Sequence, residues 1–478
     1  MDAGGRRLDN CDQEEDRISN LPDDLLLSIL TKLQSTPAAA RTGVLSRRWR
    51  RVWAALPELL LKDVSAADSV DAALDACSVP TVSRLEIAAS PPRYESLDAA
   101  RVASWLRFAS QRLAGELSLY VPRIDGELVL PPCERLTTAT IHHHFEGTLR
   151  LPSHGSFAAL TEVGIIGARM EAGDQLETFG SARCPCLRKL NLCGVILDTV
   201  SDVSIRSDTL EWLSFIVRNV RKLEAVTPSL RYLHGLAPSG AENDLDQPGH
   251  SYIVAPNLAD LEWYGADPRH DQFVQAGRHL RKLSILQLQM VHLMRRFDIG
   301  IQSSKRFLQL ITCDFAKCDT MEVHVNVSSY CSQHAFAPTL LHLLGKSPGL
   351  RKLVVELPRG TMELGGKSDP CTSDRPCSSP ESYKMDNFTL GSLEEVVIMD
   401  FRGLPNHVEA LIMLLGCNAP TLKNVVVNVP ADAPSVRGET FQKIHSFSRP
   451  NIDVKFNVRP QYVRLGMLGV VAVLVSDI

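Results

Sequence analysis

Between Asp23 and Leu33 the apolar positions Leu25, Leu26, Ile29, Leu30 and Leu33 recur at spacings of three and four, the period of an amphipathic helix. Asn20, Pro22, Asp23 and Asp24 supply a start for it: a capping side chain, a proline for the first turn and carboxylates for the positive end of the helix dipole. The apolar face is wider than one small core needs, which predicts that part of it meets another protein. Pro37 opens a second helical stretch, Ala38 to Arg41, which runs through Val44 and Leu45 into a third carrying Ser46, Arg47, Arg48, Trp49, Arg50, Arg51, Val52 and Trp53. Three short helices in about forty residues bury little surface, so the segment needs a partner or a docked neighbour.

From Val82 the pattern changes to short strand-like runs, Ser83 to Ala88 and Glu116 to Val121, with a helix predicted between them from Ala99 to Leu113. Strands alternating with helices imply parallel pairing. A motif then recurs: a small residue, proline, any residue, leucine, two further residues and an aliphatic one. It reads CPCLRKL at Cys184, TPSLRYL at Thr227, APNLADL at Ala255, SPGLRKL at Ser347 and APTLKNV at Ala419. Copies without the proline lie at Ala159 to Val163, Asp208 to Leu213, Arg278 to Leu283 and Gly391 to Val396. Leu160, Leu187, Leu210, Leu230, Leu258 and Leu280 follow one another at intervals of 20 to 28 residues, the period of leucine-rich repeats that each supply one strand and a return segment. The proline is expected in the turn before the strand, where its missing N–H costs no ladder bond.

The fold class predicted is α/β: a small amino-terminal three-helix unit over residues 17–61, then an irregular leucine-rich-repeat solenoid with a parallel strand face over 82–364. A polar, acidic lead-in (1–16) precedes the helices, and a small-residue helical connection (62–81) follows them. The interval from Leu280 to Leu350 is too long for one repeat, and the alternation of Met321, Val323, Val325 and Val327 predicts a further strand there, preceded by a helix around Lys305 to Ile311. Residues 365–386, rich in Gly, Ser, Pro and Asp, read as an exposed loop, and 387–458 as final enlarged repeats. The tail, 459–478, holds an uncharged run from Leu465 to Ser476, well short of the roughly 20 residues of a membrane-spanning helix, and reads as a final buried strand or an unusual carboxyl terminus.

Composition narrows the function. With 44% hydrophobic residues the 478-residue chain can bury a large core, and a net charge of −4 gives no global drive toward nucleic acid or anionic membrane. The polar start MDAGGRRLDNCDQEED is no secretion signal, so an intracellular protein of the nucleus or cytoplasm is expected, with its 12 cysteines reduced. Buried thiols are the first expectation for these, and a zinc site from Cys184, Cys186 and Cys193 is the alternative. His142, His143 and His144 alternate faces in a strand, so at most two share a ligand. Arg47, Arg48, Arg50 and Arg51 are interleaved with tryptophans at helical spacing, the pattern of a packed helix rather than a nucleic-acid site. Phosphate-loop, nucleophile-elbow, zinc-protease and kinase signatures are absent from the sequence, pointing to a non-enzyme without cofactor or metal.

The stretch LPDDLLLSIL followed by AARTGVLSRRWRRVW resembles an F-box of the kind common in plants. The resemblance implies three helices that bind a Skp-type adaptor and, through it, a cullin scaffold of the ubiquitin-transfer machinery. By matching position, Leu21, Pro22, Leu25, Ile29, Leu30, Val44, Leu45, Ser46, Trp49 and Trp53 become the set that faces the adaptor or packs the helices. Two positions depart from the pattern: Gln34 stands where a proline is usual, and Gly43 where a better helix former is. Further on, SLEEVVIMDFRGLPNHVEALIMLLGCNAPTLKNVVVNV is similar to the FBD module at the carboxyl end of many plant F-box proteins, through residues such as Leu393, Phe401, Gly403, Leu414, Leu415 and Leu422. The implied function is a non-catalytic substrate-recognition subunit of an SCF-type ubiquitin ligase. Its target is a protein not identified by the sequence, held on the concave strand face near Arg188, Trp212, Tyr232, Trp263 and Tyr264. A small-molecule receptor on the same solenoid, and a repeat scaffold uncoupled from ubiquitination, are the alternatives.

Overall fold

The computed structural model describes residues 21–64, 67–89, 96–121, 123–143, 147–236, 249–264, 271–275, 280–286, 318–324, 347–357, 389–431 and 449–459, with a few single positions between them. It is a mixed α/β architecture: a helical amino-terminal segment leading into a sheet whose strands all pair in parallel.

The helical segment holds α1 (Asp23–Thr31), α2 (Thr36–Arg41), a 3-10 turn (Thr42–Val44) and α3 (Arg47–Ala54). The expected cap Asn20 lies outside the described residues; Pro22 holds the cap position of α1 without a side-chain hydrogen bond, and Asp23 and Asp24 fill the first turn. The other two helices are capped by serines, Ser35 Oγ accepting from the Ala38 amide at 3.3 Å and Ser46 Oγ from the Trp49 amide at 3.4 Å. Leu26, Leu30, Ala39, Trp49, Val52 and Leu56 close a small core of their own, with Leu21, Leu27 and Trp53 packed against it.

Leu59, Leu60 and Leu61, assigned from the sequence to the end of the helical unit, instead form a strand, Glu58–Val64, parallel to Val82–Ala89. A run apolar on both faces suits it, because Leu59 and Leu61 enter the main core while Leu60 is also covered. The connection beyond it contains α4 (Ala67–Ala76), and α5 (Ala99–Arg112) separates the next two strands, capped by Asp98 through the Ala100 amide at 2.9 Å.

From there the strands follow in chain order. Glu58–Val64, Val82–Ala89, Leu113–Val121, Thr138–His143, Glu162–Ile166, Lys189–Arg206 and Trp212–Val226 pair successively, each parallel to the last. The series continues through Tyr232–Leu236, Asp260–Tyr264, Lys282–Leu286, Thr320–His324, Lys352–Glu356, Glu395–Met399, Asn424–Pro430 and Asp453–Arg459. A second parallel ribbon runs alongside, from Glu127–Val129 through the far halves of Lys189–Arg206 and Trp212–Val226 to Asp271–Val274. The strand Thr320–His324 fills the long interval after Leu280, whereas the predicted helix near Lys305, the loop 365–386, residues Val325 and Val327, and the tail from 460 lie outside the described residues.

The recurring motif is a turn that aims the strand. The carbonyl of its small residue accepts from the leucine amide three positions on: Cys184 from Leu187 at 3.2 Å, Thr227 from Leu230 at 3.1 Å, Ala255 from Leu258 at 3.2 Å and Ser347 from Leu350 at 3.1 Å. Proline therefore sits at the second position of a β-turn, where its fixed φ is an asset. The small residue and the leucine at either end of each turn are both buried. The residue after the leucine then offers its carbonyl to two consecutive amides of the next repeat. Arg188 takes Glu211 and Trp212, Glu211 takes Arg231 and Tyr232, and Arg231 takes Ala259 and Asp260. This forked acceptor links one repeat to the next whatever the length of the return segment, which is how irregular repeats keep one strand register.

Candidate functional sites

Two surfaces emerge from this frame. The first lies on the helical segment, where Leu25, Ile29, Leu33, Val44 and Leu45 are five of the nine exposed large apolar residues among the described residues. Leu25 is 48% exposed, Ile29 42%, Val44 82% and Leu45 67%, so the concentration is a surface and not a partly open core. Pro22 and Ser46 are exposed beside them. Of the ten residues that the sequence grouped together, Leu30 and Trp49 are buried in the small core, and Leu21 and Trp53 pack against it. Leu33, outside that group, is 44% exposed.

Polar links hold the exposed set in place. Arg48 on α3 pairs with Asp23 of α1, Nε to Oδ1 at 2.7 Å, and also donates to the Leu21 carbonyl. Arg50 Nε donates to the Gly43 carbonyl at 3.0 Å, fastening the 3-10 turn that carries Val44 to α3. Gly43 is buried there, and a Cβ would stand 2.9 Å from Arg50 Cγ. Its lack of a side chain lets the turn approach Arg50 this closely. Gln34 has φ +49°, which proline cannot adopt, so the departure from the F-box pattern is part of this turn's conformation.

The second surface is the strand face. Register places Glu162, Lys189, Trp212, Tyr232, Asp260 and Lys282 in one row across successive strands, and Asn191, Ser214, His234 and Glu262 in the next row of the same face. Trp212 and Tyr232 stack with centroids 5.2 Å apart and planes 7° from parallel, while Lys189 Nζ lies 5.3 Å from the Trp212 ring centre. The Tyr232 hydroxyl donates to Glu262 Oε2 at 3.4 Å, and Ser214 Oγ is 3.2 Å from His234 Nδ1. Burial, reinforced by Glu262 and Asp260, pushes Tyr232 up to about 12. Burial lowers the His234 pKa against the opposing pull of Glu262, favouring the neutral ring.

The five residues proposed from the sequence for this face divide. Trp212 and Tyr232 are on it. Arg188 stands one residue after the repeat leucine, between the turn and the strand, exposed and 3.6 Å from Glu211. Tyr264 ends its strand. Trp263 is in the core, 1% exposed and edge-on to Phe273 at 5.4 Å, because it lies at an odd offset from Leu258. Gly235, its register partner, makes room: a Cβ there would overlap the Trp263 ring. Lys189, Ser214, His234, Asp260 and Glu262 went unnamed from the sequence, although positions two and four after each repeat leucine identify them.

Burial pushes the Cys184 thiol up to about 12 and Cys133 and Cys417 to about 11, and Cys184 Sγ bonds the Thr178 carbonyl at 3.3 Å. Among the described residues no group of three His, Cys, Asp or Glu side chains is placed to hold a metal, and no helix is long and apolar enough to cross a membrane. An open depression of about 370 Å³ lined by Lys222, Glu224, His250, Ser251, Tyr252 and Gln272 lies on the second ribbon, away from the main strand face.

The first surface lies on a segment that is similar to a known domain. Residues 18–60 match the F-box domain. An FBD-associated F-box protein of Arabidopsis thaliana is 24% identical over 447 residues, 89% of this chain and 99% of the relative. A second FBD-associated F-box protein of the same plant is 26% identical over 72% of this chain and 75% of its own length, and an F-box/FBD/LRR-repeat protein is 23% identical over 77% and 82%.

Proposed function

We propose that the chain, an F-box protein of the plant kind that joins an F-box to leucine-rich repeats and an FBD segment, is a substrate-recognition subunit of an SCF-type ubiquitin ligase. The observation that carries this reading is the exposed apolar patch of Leu25, Ile29, Leu33, Val44 and Leu45 on a segment too small to spare it. A Skp-type adaptor covers that patch and brings the cullin scaffold. The successive parallel strands stack into a solenoid, and the target protein binds its strand face around Trp212 and Tyr232. The subunit does no bond chemistry; it raises the effective concentration of the target beside the ubiquitin-charged enzyme. The setting is intracellular.

The test is co-precipitation of the full chain with Skp-type adaptors and cullin, beside Ile29→Asp with Leu45→Asp. These two exposed positions can change without opening the small core. Retention of both partners by the native chain and loss by the double variant supports the reading. A folded native chain that recruits neither adaptor nor cullin refutes it and leaves a repeat scaffold.

A further inference from the structure

The strand face carries its charge in an uneven way. Lys189, Lys282 and Lys352 are each held by a carboxylate of the same face, Glu162 at 3.8 Å, Glu322 at 3.6 Å and Glu395 at 3.0 Å. Between Lys189 and Lys282 in the same row stand the stacked rings of Trp212 and Tyr232 and then Asp260, with Glu262 in the next row accepting from the Tyr232 hydroxyl. Asp260 is in no ion pair among the described residues. His234, beside Glu262 in the register, is held toward its neutral form, so it adds little positive charge. The centre of the face therefore combines a partly exposed aromatic pair with local negative charge, and Lys189 over the Trp212 ring shows that the row already receives a cation.

We propose that Trp212, Tyr232, Asp260 and Glu262 receive an arginine or lysine side chain from an exposed basic segment of the target protein. Its stem and charged head lie along the aromatic pair, and the two carboxylates supply the counter-charge. This rests on the reading of the strand face as the target surface and adds the chemistry of the target to it.

The experiment titrates the full chain with end-blocked tetra-arginine, tetra-lysine and tetra-glutamate peptides at low and high salt. The basic peptides are expected to bind and to weaken with salt, while the acidic one does not bind. Asp260→Asn with Glu262→Gln is expected to lower tetra-arginine affinity at least tenfold. Glu395→Gln, remote in the same row, leaves it within twofold. Asp260→Lys is expected to shift the preference toward tetra-glutamate, a gain that misfolding cannot imitate. Equal tetra-arginine affinity in the native chain and the double variant, or no binding at all, overturns the proposal. A photo-crosslinker at Asn191 separates the two readings. If it traps proteins from cell extract while the charge variants have no effect, the basic-segment assignment alone fails; if it traps nothing as well, the strand face is not the target surface.

Discussion

The junction between the helical segment and the sheet includes a buried bond whose loss has a calculable effect. Thr36 is 2% exposed, and its Oγ1 accepts from the outward-facing amide of Leu60 at 2.8 Å. Thr36→Val keeps the shape and removes the acceptor, leaving a buried N–H without a partner at a cost of about 2 kcal/mol. If that cost falls on local opening, exchange of the Leu60 amide accelerates about 30-fold, at 1.4 kcal/mol per factor of ten. Thr36→Ser keeps the acceptor and loses one methyl, about 0.8 kcal/mol of burial, or roughly fourfold in exchange. The ranking separates two accounts: the hydrogen bond makes valine the worse substitution, and packing alone makes serine the worse. Hydrogen–deuterium exchange over residues 58–62 in the full chain reads this directly. Unchanged protection in Thr36→Val, or faster exchange in Thr36→Ser than in Thr36→Val, would refute the bond's role.

Three further outcomes follow from single positions. Gln34→Pro should destabilise the helical segment by about 3 kcal/mol or more, because φ +49° is closed to proline and the amide bonded to Thr31 is lost. Gln34→Gly should stay within about 1 kcal/mol of native, both read from exchange protection of α1. Thr227 buries a hydroxyl that has no partner among the described residues, at a motif position where Ala255 and Ala419 stand in other repeats; Thr227→Val should raise the urea midpoint, equivalent to about 1 kcal/mol, and Thr227→Ser should not. Cys184, with its thiol pushed up to about 12, has a thiolate fraction of only ~10⁻⁴ at pH 8. Iodoacetamide should therefore mark exposed Cys186 well before buried Cys184 in the native chain, as peptide mapping will show.

The repeat was legible because its signal is local: one leucine, one turn, one strand, with spacing that tolerates variable returns. Leu187, Leu210, Leu230, Leu258 and Leu280 are all fully buried, and the same leucines index the strand face. Trp212 at offset two and Trp263 at offset five look alike as aromatic residues near a strand, and only counting from the leucine separates surface from core. Other assignments depended on docking, which no local pattern encodes. A helical wheel marks Leu25, Ile29 and Leu30 as one face, yet Leu30 closes into the small core while the other two stay open. Leu59 to Leu61 continue the apolar texture of the helices, and only pairing with Val82–Ala89 makes them a strand. The role of Gly43 required knowing that Arg50 crosses above it.

The bond between Thr36 and Leu60 also ties the two surfaces together. Among the described residues Glu58–Val64, the first strand of the ribbon, has a strand neighbour on one side only, and Thr36 of the helical segment reaches its other edge. Ser78 adds a second tie, its amide and hydroxyl both reaching the Ala54 carbonyl, at 2.8 and 2.9 Å. On the proposed reading, an adaptor at Leu45 and a target at Trp212 would be joined through two separate cores linked by these bonds and not by a free linker. Proximity catalysis depends on that, since a flexible joint spreads the target over a larger volume. Inserting Gly-Ser-Gly-Ser after Pro57 should therefore leave adaptor binding within twofold while lowering ubiquitin transfer to bound target several-fold in a reconstituted ligase. Transfer at the native rate through the flexible joint would mean that the rigid coupling of the two surfaces is not what positions the target.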